Sequence, residues 1–174
     1  MQYLHMVKRE STARLQRGSP EPTTPIRRLT DAEMRAWQAL LHAHHDITQT
    51  LDAELRAEHA LSLDSYDVLL RLARAPDRSL RMSQLAERVL VPPSTLTRRV
   101  DRLEADGLVE RRRTRDDSRA MIVSLTDPGL ARLRRAARSH LRGIREHFTG
   151  RLNNQQLEDV AGGLEIVTGP HRPH

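Results

Sequence analysis

Apolar side chains recur at helical spacing along most of this chain. Met34, Trp37, Leu41, Ile47, Leu51 and Leu55 fall on one stripe, with His44 filling its gap, and Thr30-Asp31-Ala32-Glu33 stands before them. In that tetrad Thr30 is placed to cap a helix and Glu33 to reach back to it, so the pattern predicts a helix of about 28 residues. Residues 60–75 predict a shorter helix with Asp64 as N-cap, ended by Pro76 and Asp77. Leu85, Ala86 and Val89 give two helical turns over residues 82–89. After a short link, Leu90-Val91-Pro92-Pro93, a second helix over 93–105 buries Leu96, Val100 and Leu103. Pro93 suits its first turn and Gly107 its C-cap.

The period then changes. Residues 108–111 and 120–125 read as two strands around a charged loop over 112–119. Thr126 and Pro128 start another helix, along which Leu130, Leu133, Ala137, Leu141, Ile144 and Phe148 step by three or four until Gly150. Asn153 and Gln156 form a weaker capping pair for a last helix carrying Leu157, Val160, Leu164 and Val167. The expected fold is mainly α. Residues 1–28, mixed Arg, Ser, Thr and Pro, predict a mobile basic tail, and 169–174 a second short one.

Composition narrows the chemistry. Among 174 residues, 37% are hydrophobic but only 2% aromatic, so the core is aliphatic, which suits helices better than a large sheet. The chain has no cysteine, which excludes disulfides, thiolate zinc sites and thiol redox sensing. No apolar run approaches the roughly 18 residues of a membrane span, and the N-terminus lacks the apolar centre of a secretory signal. A soluble, cytoplasmic protein with no membrane partner is expected. The net charge of +6 and pI of about 11.0 favour an anionic partner, and Lys8 is the only lysine beside many arginines. Arg and Ala are both abundant, so genomic base composition explains the charge as readily.

Arrangement says more than charge. Two short helices joined by a tight link are the parts of a helix-turn-helix. Outside its apolar face, the second carries Ser94, Thr95, Thr97, Arg98, Arg99 and Arg102. Hydroxyls bond bases or phosphates, and Arg takes guanine O6 and N7 together. The start of such a helix meets base edges, so Ser94, Thr95, Thr97 and Arg98 are the expected base contacts, and Arg102 a phosphate contact. The hairpin is then a two-stranded wing bearing Arg113, Arg115, Asp117 and Arg119. An Arg at its tip suits a narrow minor groove, and Asp117 is spaced to orient Arg119. A solvated basic hairpin without a partner is the plainer alternative; its place directly after a helix-turn-helix favours DNA.

The order of elements, the segment STLTRRVDRLEADGLVERR, the Asp117-Ser118-Arg119 triplet and the following SLTDPGL resemble the multiple antibiotic resistance regulator (MarR) family. The similarity spans roughly residues 30–168 and is strongest at 82–130. The resemblance implies a winged helix-turn-helix over 60–126, flanked by N- and C-terminal dimerisation helices in 29–59 and 127–168. It further implies a homodimer on a pseudo-palindromic double-stranded operator, usually a repressor released by a small-molecule ligand. Arg119 is the residue it sends to the minor groove, and its recognition positions fall on Ser94, Thr95, Thr97, Arg98 and Arg102. The chain departs from the family in the Pro92-Pro93 start of that helix and in its long tail. It also lacks the cysteines with which some members sense oxidants.

Other constellations are thinner. His42 and Asp46 make an i,i+4 pair of ligand types beside His44 and His45, but two ligands are not a site, and no metal or other cofactor is expected. Trp37, His44, His45, Tyr66 and Arg71 are candidates for an effector pocket, with core packing the simpler role for Trp37. No phosphate loop, nucleophile elbow or HExxH is present, so an enzyme is not expected. The rival function is a ligand-binding or protein-interaction module on the same fold without DNA binding.

Overall fold

The computed structural model describes residues 27–89, 92–113 and 121–169. Most of the expected N-terminal tail, the wing tip with Arg115, Asp117 and Arg119, and the last five residues lie outside them. By compactness the chain divides into Met1–Ala36 and Trp37–His174. In the first unit the described residues form the capped start of helix α1, Asp31–His59. The capping box forms as the tetrad predicts: Thr30 N–H donates to Glu33 Oε2 (2.6 Å) and Glu33 N–H to Thr30 Oγ1 (3.2 Å).

In the second unit α1 is followed by α2, Leu63–Arg74, which Ser62 caps by accepting from Ser65 N–H at 3.1 Å. Asp64 is therefore not the cap. It sits in the first turn, where its carboxylate pairs with Arg99. A 3-10 turn, Pro76–Arg78, carries Asp77 and Arg78 at φ 51° and 52° and leads into strand β1, Ser79–Arg81. Then come α3 (Met82–Val89), α4 (Pro93–Ala105), β2 (Val109–Arg113), β3 (Met121–Leu125), α5 (Asp127–His147), a second 3-10 turn (Thr149–Arg151) and α6 (Asn154–Thr168). The Asn153–Gln156 pair closes a full capping box on α6.

The sheet has three strands rather than the expected two, in the order β1-β3-β2, all antiparallel. β1 is only Ser-Leu-Arg, too short to show a period-two pattern, and it exists because β3 offers it an edge. In the central strand Val123 stands opposite Leu80 on one side and Arg111 on the other, and both apolar residues are buried. Around it one apolar cluster joins Leu55 of α1, Val68, Leu69 and Leu72 of α2, Leu85 of α3, Leu96, Val100 and Leu103 of α4, and Leu133 and Ala136 of α5. The buried stripe of α4 is the one its spacing predicts.

α5 follows its predicted stripe only in part: Leu133 is buried and Leu130 and Ala137 pack against the core, but other positions face inward as well. Its buried positions are Gly129, Leu133, Ala136, Ser139 and Gly143, while Leu141 is 62% exposed. The reason is close approach. A Cβ on Gly129 would lie 2.0 Å from Leu108 O, and one on Gly143 2.6 Å from Leu51 Cδ2. Small residues therefore share the inward face with Leu133, and Leu141 turns away. α1 buries only Leu51 and Leu55; Trp37, Leu40 and Leu41 are exposed. α6 buries nothing, and Val160, Leu164, Ile166 and Val167 are exposed.

Candidate nucleic-acid interface

Because α4 spends one face on the core, its other face is fixed in direction. Ser94, Thr95, Thr97, Arg98 and Arg102 all lie exposed along it. The Thr97 hydroxyl donates to Pro93 O (2.9 Å), which leaves its lone pairs for an outside donor. Arg99 departs from the expected set of DNA contacts. Its side chain is only 14% exposed and its guanidinium pairs with Asp64 at the start of α2. The two residues adjoin in space and not in sequence, so the helical wheel alone makes Arg99 look like its neighbours. It braces α4 against α2.

The end of α4 is equally determined. Asp106 is the C-cap and Gly107 follows at φ 68°, with Gly107 N–H donating to Glu104 O and Leu108 N–H to Leu103 O, both at 2.9 Å. That left-handed position is one glycine takes without strain. Thr126 then ties this turn to α5, donating from Oγ1 to Gly107 O (2.7 Å) and accepting from Gly129 N–H (3.0 Å).

The hairpin is held to α4 by a residue the spacing did not single out. Arg111 on β2 donates from Nε and Nη2 to Glu104 Oε2 (2.8 and 2.5 Å), and its Nη1 lies 2.7 Å from Asp101 Oδ1. Its backbone N–H adds a bond to Glu104 Oε1 (3.0 Å). The side-chain hydrogen bonds from Arg111 hold the Glu104 carboxyl below its ordinary 4.5, and those to Glu104 raise the guanidinium above its own ordinary value. The clamp fixes where the wing leaves α4. In sequence Arg111 is one of three successive arginines, and only the turn at Gly107 distinguishes it by bringing it back over α4. Arg113, at the end of β2 opposite Met121, is exposed.

The fold is similar to that of Sco3205 of Streptomyces coelicolor, a MarR family transcriptional regulator solved in complex with DNA. The match has a TM-score of 0.77 at 32% identity and covers 84% of this chain and 92% of that one. The chain belongs to the MarR family. The MarR family model matches residues 61–120, from just before α2 to just before β3. Two curated relatives are the transcriptional regulator PecS of Dickeya dadantii, 33% identical over 102 residues, and the transcriptional repressor YetL of Bacillus subtilis, 35% identical over 88. The matches cover 58% and 51% of this chain, and 60% and 53% of those proteins' lengths. All are named as regulators of transcription and none as an enzyme. Among the described residues of this MarR-family chain, no helix is long and apolar enough to cross a membrane.

The five expected pocket residues stand in different surroundings. Trp37, His44 and His45 lie exposed on α1. Tyr66 is in the core, its ring 4.7 Å from that of His140, and burial raises its phenol above the ordinary value. Arg71 is held by Asp67, 3.2 Å away and one turn back. An open pocket of about 380 Å³ lies elsewhere, lined by Thr48, Gln49, Asp52, Arg56, Leu63 and Asp64. Within it Asp52 accepts from Leu63 N–H (2.8 Å) and from Arg56 Nε (2.6 Å).

Proposed function

We propose that the protein is a dimeric, cytoplasmic, sequence-specific regulator of transcription that binds a pseudo-palindromic duplex operator. The observation that carries this reading is the division of α4, with one face anchored in the core and the other a row of exposed hydroxyls and arginines. Ser94, Thr95, Thr97 and Arg98 read base edges in the major groove, and Arg102 takes a phosphate. Arg113, with Arg115 and Arg119 beyond it, follows the backbone toward the minor groove, and Asp117 orients Arg119. Arg99 faces Asp64 instead of the duplex.

Two copies pair through the apolar residues that α1 and α6 leave exposed, Trp37, Leu41, Val160 and Leu164 among them. Two-fold symmetry then sets the recognition helices about 34 Å apart, one turn of DNA. Repression is the mode named for YetL, and we extend it to this chain, with release by a small ligand. The pocket beside α2 has the size of a ligand site. Asp64 both lines it and holds Arg99 of α4, so an occupant competing for that carboxylate loosens the recognition helix.

Selection from a random duplex pool, followed by salt titration of the recovered site, tests the reading. Arg98→Ala is expected to cost about 1–3 kcal/mol on the preferred sequence and to relax base preference. Arg102→Ala is expected to weaken all sequences alike and to lower the salt slope by about 0.9. Recovery of no duplex, or unchanged affinity in both Arg98→Ala and Arg119→Ala, overturns it.

A further inference from the structure

Near the end of α5 the missing side chain of Gly143 lets α1 come close, and a Cβ there would stand 2.6 Å from Glu54 Oε2. The Glu54 carboxylate thereby lies against α5, with Oε1 2.6 Å from His147 Nε2. Its other oxygen, Oε2, is buried and has no hydrogen-bond donor. Beside His147 stands Glu146, exposed, and one donor atom from each of the three residues lies within 4.8 Å of the other two. A carboxylate oxygen withdrawn from water is costly unless a donor or a positive charge meets it. One hydrogen bond to a histidine leaves this oxygen unmatched and adds nothing to balance the second carboxylate.

We propose that Glu54, Glu146 and His147 form a divalent-cation site that staples α1 to α5. The donor set is one imidazole nitrogen and two carboxylate oxygens without thiolate, which suits Zn²⁺ with a further position left for water. Metal–ligand bonds of about 2.0–2.2 Å hold donors roughly 3–4 Å apart, so side-chain rotation has to close the present spread. Glu146 supplies that rotation, being exposed near the end of its helix. The proposal does not depend on DNA binding. It is also separate from His42, His44 and His45, which are exposed on the earlier part of α1.

The test uses full-length protein stripped with a chelator and titrated with ZnCl₂ in competition with a chromophoric chelator. Thermal unfolding is followed in parallel. One Zn²⁺ per chain is expected, raising the unfolding midpoint, with affinity falling at least about tenfold in Glu54→Gln and in Glu146→Ala. Glu146→Ala alters an exposed side chain and leaves the core intact, so it reports on the site even if Glu54→Gln folds poorly. A triple variant, His42→Ala, His44→Ala and His45→Ala, is expected to bind as the parent does. Absence of binding at 100 µM Zn²⁺ overturns the proposal, as does parental affinity in Glu146→Ala or loss of binding in the triple variant.

Discussion

Replacing Arg111 by Met keeps the stem of the side chain and the backbone bond from its N–H while removing the charged clamp on the wing. Three side-chain contacts to Glu104 and Asp101 go with it. Fully exposed ion pairs contribute about 0–1 kcal/mol, and drier charge-assisted hydrogen bonds about 1.5–3 each. The clamp lies between these limits, since the Arg111 side chain is 24% exposed, that of Glu104 36% and that of Asp101 50%. A total of about 1–2 kcal/mol follows, or a midpoint lowered by about 2–8 °C for a chain of this size, read by circular dichroism. The pH dependence has a definite sign. Glu104 is held below its ordinary 4.5, so its contribution is complete above that value and is lost as pH falls through the lower folded value. The gap between parent and variant should close correspondingly in acid. On DNA the variant is expected to bind several-fold more weakly with the parental salt slope, because Arg111 neutralises carboxylates rather than phosphates. An unchanged midpoint would show the clamp to be idle. A slope reduced by about 0.9 would instead make Arg111 a phosphate contact and refute the reasoning.

Three further predictions concern the frame. Gly129→Ala places a Cβ 2.0 Å from Leu108 O and should cost about 3 kcal/mol in urea denaturation; a loss below 1 would mean α5 shifts at little cost. Burial depresses His140 below its ordinary 6.5, so the unfolded chain takes up that proton first and stability falls as pH drops below 6.5. His140→Leu should flatten the midpoint over that interval, and a parental slope in the variant would assign the effect to another group. Val160→Glu with Leu164→Glu should halve the mass seen by light scattering while leaving the helical signal of the core elements; a dimer persisting in this variant would remove α6 from the interface.

The amino-acid sequence alone determined the helices, most of their caps and the position of the helix-turn-helix. Those features depend on neighbours within a few residues: Thr30 with Glu33, Asn153 with Gln156, Thr126 with Pro128, and the spacing of Leu96, Val100 and Leu103. It also located the exposed row on α4, because a helix that buries one stripe must present the other. Where partners are distant in the chain, only the tertiary structure decided. It turned Arg99 from the row toward Asp64, drew Arg111 out of a run of arginines to clamp Glu104, and added β1 to the edge of β3. It showed as well that α5 packs by two glycines, an alanine and a serine beside Leu133, leaving Leu141 outside. Glu54 and His147 stand ninety-three positions apart and within hydrogen-bonding distance, a contact that periodicity does not encode. Local patterns set which face of a helix is apolar, while charge pairing and close backbone approach are settled by what the fold brings opposite it.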